Sequence, residues 1–285
     1  MLPSLTLRAG THTRVLDRPL IMGVLNVTPD SFSDGGRFDS LTDALAHGRD
    51  MVAAGADIID VGGESTRPGS PGVPLEVELQ RVVPLLKALR AALDVPLSID
   101  TSKPEVMREA VAAGASMIND VNALRAPGAL RAAIESDAAV CLMHMRGVPR
   151  SMQERPEYRD VVEEVEEFLS ARAQAVLVGG VAPERIVLDP GFGFGKTLEH
   201  NRALFRALPR FAALGYPLMV GVSRKAMIGS LLGDRPVDER MIGSVTAALL
   251  AVQAGAHIVR VHDVRETADA LAIHAALGLP SVSEE

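Results

Sequence analysis

Aromatic side chains are scarce: 3% of 285 residues, with two Tyr, seven Phe and no Trp. That scarcity argues against a surface on which nucleic-acid bases stack. Positive charge is also in deficit, with 29 Lys and Arg against 36 Asp and Glu, a formal net charge of -7 and a pI near 5.6. The overall field therefore attracts no polyanion, and any anionic ligand must be held by a local group of cations. A single cysteine, Cys141, excludes an internal disulfide; inside the apolar run 138–143 it reads as a small buried hydrophobe in a reducing compartment. No spacing of His and Cys matches a zinc site. No apolar run reaches the roughly 18 residues that cross a bilayer, and the first ten residues lack the charged-then-apolar design of an export signal. A soluble, cytoplasmic protein is expected.

What the chain does contain is a repeated grammar. Leu20, Ile21, Met22, Gly23, Val24 and Leu25 form a continuous apolar run, the pattern of a strand buried on both faces, and it stops at Asn26. A polar, glycine-bearing loop follows, and then a helix. Strands are expected at 20–26, 57–62, 95–100, 116–119, 138–144, 185–189, 217–222 and 257–262. Helices are expected near 40–54, 75–92, 104–113, 127–136, 157–178, 198–208, 238–254 and 264–277. Three helix-to-strand joints are spelled Ala-Ala-Gly-Ala or Gln-Ala-Gly-Ala, around Gly55, Gly114 and Gly255, where glycine supplies the left-handed residue that ends a helix.

Alternating strands and helices imply a parallel sheet, and eight such units match an α/β fold of the (β/α)8 TIM barrel type. The expected layout is one domain: an N-terminal β-hairpin in 1–18 that caps the lower mouth, the barrel over 19–278 and a tail at 279–285. A doubly wound open sheet is the rival. It calls for a Gly-rich dinucleotide turn after the first strand, which is missing, and the glycines of 191–195 do not have the required spacing.

The expected strands end in Asn26, Asp60, Asp100, Asn119, His144, Asp189, Ser223 and His262. In a barrel all eight lie at one mouth, where active sites are built. Any one of them can serve only its own loop, but eight together suggest a site. Asp100, Asn119 and Asp189 suit a flat heterocycle with adjacent N–H donors. Thr101 or Ser102 is expected to cap the third helix, with Pro104 in its first turn, leaving Asp100 free for ligand. Arg67, Arg224, Lys225, Arg260 and His262 form the cationic group that the acidic composition demands for an anion. Arg260 and His262 are two apart on a strand and share a face, and a barrel-facing Arg needs a ligand or a carboxylate as partner. Asn26 adds a hard oxygen that, with phosphate oxygens and water, could hold Mg²⁺.

These residues stand in longer motifs: Gly-Val-Leu-Asn-Val-Thr-Pro-Asp-Ser-Phe-Ser-Asp-Gly-Gly from Gly23, Asp-Val-Gly-Gly-Glu-Ser-Thr-Arg-Pro-Gly from Asp60, Ser-Ile-Asp-Thr from Ser98, Ile-Asn-Asp from Ile118, Met-His-Met-Arg-Gly from Met143, Asp-Pro-Gly-Phe-Gly-Phe-Gly-Lys from Asp189, Ser-Arg-Lys from Ser223, and Arg-Val-His-Asp from Arg260. Through them the sequence resembles the dihydropteroate synthases of the pterin-binding enzyme family over nearly its whole length.

The resemblance implies a transferase of folate biosynthesis that condenses 6-hydroxymethyl-7,8-dihydropterin diphosphate with 4-aminobenzoate, giving 7,8-dihydropteroate and diphosphate by an SN1-like path. It implies that Asp100, Asn119, Asp189 and Lys225 hold the pterin, with Met143 against its face. Asn26, Arg67, Arg260 and His262 would hold the diphosphate, with Mg²⁺ at Asn26. Thr66, Pro68, Phe194 and Lys225 would form the aminobenzoate pocket, which is where sulfonamides bind in this family. It also implies a homodimer acting on small molecules, with no nucleic-acid or membrane partner. One departure is Ala226, where members often carry Ser after Ser-Arg-Lys. The rivals are a barrel transferring methyl from a reduced folate to a corrinoid protein, a Schiff-base aldolase using Lys225, and a non-catalytic pterin-binding paralogue.

Overall fold

The computed structural model describes residues 5–27, 37–65, 70, 72–147, 152–154 and 156–278. Two short strands, β1 (Thr6–Ala9) and β2 (His12–Val15), form an antiparallel hairpin. Eight parallel strands follow: β3 (Leu20–Asn26), β4 (Ile58–Gly62), β5 (Leu97–Asp100), β6 (Met117–Asp120), β7 (Ala139–Met143), β8 (Ile186–Asp189), β9 (Met219–Val220) and β10 (Ile258–Val261). Their order is β8-β7-β6-β5-β4-β3-β10-β9, and a single parallel bridge between Leu188 and Leu218 closes the ring. The helices are α1 (Arg37–Ala53), α2 (Leu75–Ala92), α3 (Pro104–Ala112), α4 (Ala129–Ile134), α5 (Val161–Val178), α6 (Leu198–Arg206), α7 (Leu208–Ala212), α8 (Ala226–Leu231), α9 (Met241–Gln253) and α10 (Val264–Leu277).

The expected barrel is thus present, with three differences. The seventh strand shrinks to two residues. The helix expected over 198–208 is two, because Pro209 lacks the amide hydrogen needed to continue α6 but is well placed in the first turn of α7. The third, α8, lies in a stretch where no helix is expected.

Strand alternation sorts the core into two shells. Ile21, Ile59, Ile99, Ile118, Val140 and Leu188 face outward onto the helices, with Leu85, Leu86 and Leu89 of α2 packed against that side. Met22, Ile58, Met117, Cys141, Val187 and Ile258 face inward with Leu7 and Ala9 of the hairpin, which therefore plugs the lower mouth. Cys141 is buried and reduced, as its apolar surroundings predict. Burial pushes its thiol pKa up.

Candidate active site

One step further along the inward rows, apolar gives way to polar. Two residues beyond Ile58, Met117, Val187 and Ile258 stand Asp60, Asn119, Asp189 and Arg260, all on the faces that line the barrel. The strand register aligns Asn26 with Gly62, Gly62 with Asp100, and Asp100 with Asn119, a row across four neighbouring strands. Gly62 leaves this row open: a Cβ there would lie 3.3 Å from Asn26 Oδ1 and 3.6 Å from Asp100 Cβ.

Arg260 is held within the protein. Its Nε donates to Asp60 Oδ2 at 2.6 Å and its Nη2 to Asp100 Oδ2 at 2.9 Å, while Asn119 Nδ2 donates to Asp60 Oδ2 at 3.1 Å. The expected carboxylate partner thus exists, and Asp100 is engaged rather than free. Burial lowers the affinity of Arg260 for its proton, but Asp60 and Asp100 outweigh burial and raise its pKa beyond the ordinary range. One guanidinium cannot neutralise two buried carboxylates, however. Burial dominates at Asp100 and pushes it up to about 7, against the pull of Arg260. Its Oδ1 is buried without a partner, as is Oδ1 of Asp60. Asn119 gives its amide N–H to Asp60, so its oxygen is left for an incoming donor.

Across the mouth, Asp189 Oδ1 accepts from Gly191 N at 2.7 Å, and burial raises its pKa against the pull of Lys225. Lys225 is half-buried, and desolvation by its surroundings lowers its pKa to about 8, with Asp189 opposing that shift. Its ammonium donates to Phe192 O at 2.5 Å and lies 4.6 Å from the centre of the Phe194 ring. Met143, Val121, Met145 and Met152 form a small apolar cluster with Phe194 beside them. His262 pairs with Ser223: Oγ lies 3.2 Å from the His262 amide, which donates to it, and 3.1 Å from Nδ1.

Two expectations change. Neither Thr101 nor Ser102 is the cap residue of α3: Lys103 is, without a side-chain cap, while Thr101 Oγ1 accepts from Lys103 N at 3.2 Å and Ser102 donates to Asp120. Thr101 is instead drawn to Glu78 on α2, donating to its Oε1 at 2.6 Å. Arg224 does not join the cationic group, because its side chain turns to Asp263, with Nε to Oδ2 at 3.0 Å. Its backbone is left-handed (φ 59°), with its amide donating to Ser244 Oγ and its carbonyl accepting from Arg240. Thr66, Arg67 and Pro68, together with residues 28–36 of the first loop, lie outside the described residues.

Two participants were not read from sequence as partners of the site. Asp60, though seen as a strand end, emerges as the hub joining Arg260 to Asn119. Glu78 is fully buried and bonds Lys103 Nζ at 2.5 Å, while the same ammonium pairs with Glu64. Helical period was the available signal: Glu78 falls on the stripe Val82, Leu85 and Leu89, where an acid needs a partner.

With this geometry in place, comparison with known proteins is specific. The family model described as "Pterin binding enzyme" matches residues 22–262. The dihydropteroate synthase of Escherichia coli K12 is 53% identical over 258 residues, spanning 90% of this chain and 91% of that protein. A solved dihydropteroate synthase of Xanthomonas albilineans with 4-aminobenzoic acid superposes with a TM-score of 0.91 at 50% identity, covering 97% of this chain and all of that one. Another, from Burkholderia cenocepacia and complexed with 7,8-dihydropteroate, gives 0.87 at 49% identity, covering 96% of each chain. The chain belongs to the pterin-binding enzymes, and among them to the dihydropteroate synthases.

Proposed function

We infer that this chain joins 6-hydroxymethyl-7,8-dihydropterin diphosphate to 4-aminobenzoate, releasing diphosphate and 7,8-dihydropteroate. The observation that carries the reading is one rim that holds both kinds of group. The acceptors Asp100, Asn119 and Asp189 come from the ends of β5, β6 and β8, and the cations Arg260 and Lys225 with His262 from β10 and the segments after β9 and β10, with Arg260 bonded to Asp100. Solved relatives hold an aromatic amine and the condensed product. A methyl-transferring barrel would need the acceptors but has no use for a diphosphate grip.

On this reading Asp189, Asp100, Asn119 and Lys225 hold the ring, with Met143 against its face. Arg67, Arg260, His262 and Asn26 take the diphosphate, and Thr66, Pro68, Phe194 and Lys225 receive the aminobenzoate. The bond from the pterin methylene carbon to diphosphate oxygen breaks with both electrons leaving on oxygen. The aniline nitrogen then supplies the pair for the new C–N bond and sheds one proton. The ring-holding carboxylates favour positive charge on the pterin, and the cations favour the departing charge. An aniline is neutral at pH 7, so no strong base is required.

Asn26 is half-buried at the mouth, and among the described residues no group of three His, Cys, Asp or Glu could share an ion. One amide oxygen suits an ion that takes most of its ligands from diphosphate and water, which is the habit of Mg²⁺. When bound there, the ion supplies neutralisation of diphosphate charge.

We propose a homodimer through α9 and α10, where Ile242 (73%), Leu250 (47%), Ile273 (61%) and Leu277 (73%) are exposed, too many large apolar side chains for a solvated face. Among the described residues no helix is long and apolar enough to cross a membrane. A cytoplasmic location accords with the lone reduced Cys141.

The deciding assay measures diphosphate released from the pterin diphosphate with aminobenzoate, with and without Mg²⁺. Turnover that needs both substrates and falls on chelation is expected. Asp189→Ala should abolish pterin binding in calorimetry, and retained affinity would remove Asp189 from the site.

A further inference from the structure

Residues 191–196 carry glycines at 191, 193 and 195, all with positive φ, and have no strand ladder to satisfy their carbonyls. Apart from Phe194 N, which donates to Gly191 O at 3.2 Å, side chains do so instead. Gly191 O and Phe194 O accept from Lys196 Nζ at 2.9 and 3.1 Å, Phe192 O from Lys225 Nζ at 2.5 Å, and Gly193 O from Gln153 Nε2 at 2.5 Å. Gly195 O accepts from the Tyr158 hydroxyl at 2.9 Å and Lys196 O from Asn201 Nδ2 at 3.4 Å.

Lys196 is buried (3% exposed), and none of its acceptors is a carboxylate. Besides the two loop carbonyls, Nζ faces His144 Nδ1 at 2.9 Å and His144 O at 3.3 Å. Burial pushes the Lys196 pKa well below its ordinary value, against the pull of Asp189, and a methionine would fill the same volume with no polar group to bury. What Nζ organises is the local geometry. Lys196 grips the carbonyls of Gly191 and Phe194, and between them lies the carbonyl of Phe192 that holds Lys225. Lys225 in turn stands over the Phe194 ring at 4.6 Å.

We propose that Lys196, oriented by His144, is a positioning residue for the aromatic-acid substrate, fixing the Phe194 ring and the Lys225 ammonium in one relative placement. The proposal rests on the reading that places the aminobenzoate at Phe194 and Lys225. Asp100 and Asn119, by contrast, stand on β5 and β6 away from the loop, so the pterin site shares with it only Asp189, which accepts from Gly191 N, and Lys225. His144 is suited to the task. Burial, reinforced by Lys196, holds its pKa near 2, so the imidazole stays a neutral acceptor over the working pH range. Its ring is fixed edge-on against Phe168 at 4.9 Å.

The test compares Lys196→Met, His144→Phe and Phe194→Ala by thermal melting, by the KM for 4-aminobenzoate at saturating pterin diphosphate, and by pterin affinity from calorimetry. Lys196→Met is expected to raise that KM at least tenfold and to weaken pterin affinity by a clearly smaller factor, since Asp100 and Asn119 are untouched. His144→Phe, which keeps an aromatic ring against Phe168 and Tyr158 but removes the acceptor, should shift KM in the same direction by a smaller factor. It carries the test if Lys196→Met does not fold. An unchanged KM in a folded variant, or KM and pterin affinity worsening in step, overturns the proposal. Phe194→Ala separates the two levels. If its KM is normal, the placement of the aminobenzoate is wrong; if its KM rises while that of Lys196→Met does not, only the positioning role fails.

Discussion

Replacing Arg260 by Met removes the one cation shared by two carboxylates that water scarcely reaches, Asp60 at 0% and Asp100 at 8% side-chain exposure. Removing one partner of such a buried set costs about 3–5 kcal/mol, because the surviving charges stay desolvated. At roughly 2–4 °C per kcal/mol for a chain of this size, the melting temperature should fall by about 6–20 °C. The loss should also depend on pH, with a definite sign. Asp100 has a pKa near 7 in the folded protein against an ordinary 3.8, so between those values the folded state holds a proton that the unfolded chain has released. Stability therefore declines as pH rises through that window. Arg260 opposes the burial, so without it the folded pKa moves higher and the decline continues past 7. The gap between wild type and variant should be smaller at pH 6 than at pH 9, because Asp60 loses its partner at both while Asp100 adds its charge only at the higher. Urea unfolding followed by circular dichroism at both values measures it, provided the slopes against denaturant match. Adding Asp100→Asn to the variant should recover part of the loss at pH 9. An equal loss at both pH values, or one below about 1 kcal/mol, would refute Arg260 as the counter-charge of this pair.

Other perturbations reach different parts of the mouth. With its pKa near 8, Lys225 is a cation below that pH and loses its charge above it. The KM for aminobenzoate should therefore climb on the alkaline side of pH 8, and Lys225→Met should show a high KM with no such limb. Gly191 has φ +71°, and a Cβ there would lie 1.9 Å from His144 O, so Gly191→Ala should destabilise by about 3 kcal/mol or more in chemical unfolding; a loss under 1 kcal/mol would mean that the loop is free to shift. Ile242→Asp should shift the chain to a monomer in sedimentation, and an unchanged sedimentation coefficient would move the proposed interface elsewhere.

The eight parallel strands and eight of the ten described helices were legible because apolar strand, polar end and amphipathic helix recur in local order. The inward-facing site was legible for the same reason, since parallel strands deliver all their ends to one rim. What escaped were relations between distant positions. Arg224 reads as a rim cation in Ser-Arg-Lys, and only its left-handed backbone turns the guanidinium toward Asp263. Lys196 and His144 are 52 residues apart, so no spacing announces their contact. Arg260 was expected to need a partner, but the identity of Asp60 and Asp100 depends on a register that closes the barrel's last strand, β10, onto its first, β3. Helix α8 hid because six residues including Gly229 carry little helical period.

The ring of strands is stitched unevenly. Between β8 and β9 a single bridge from Leu188 to Leu218 completes it, whereas β3 and β4 share five aligned pairs. Above that thin seam, Lys225 from one side reaches Phe192 O on the other. The barrel thus resembles a hoop fastened at one clasp, with the reaction chamber mounted over the fastening. A ligand touching both banks tightens the clasp, so occupancy should slow amide exchange most at 186–189 and 217–220.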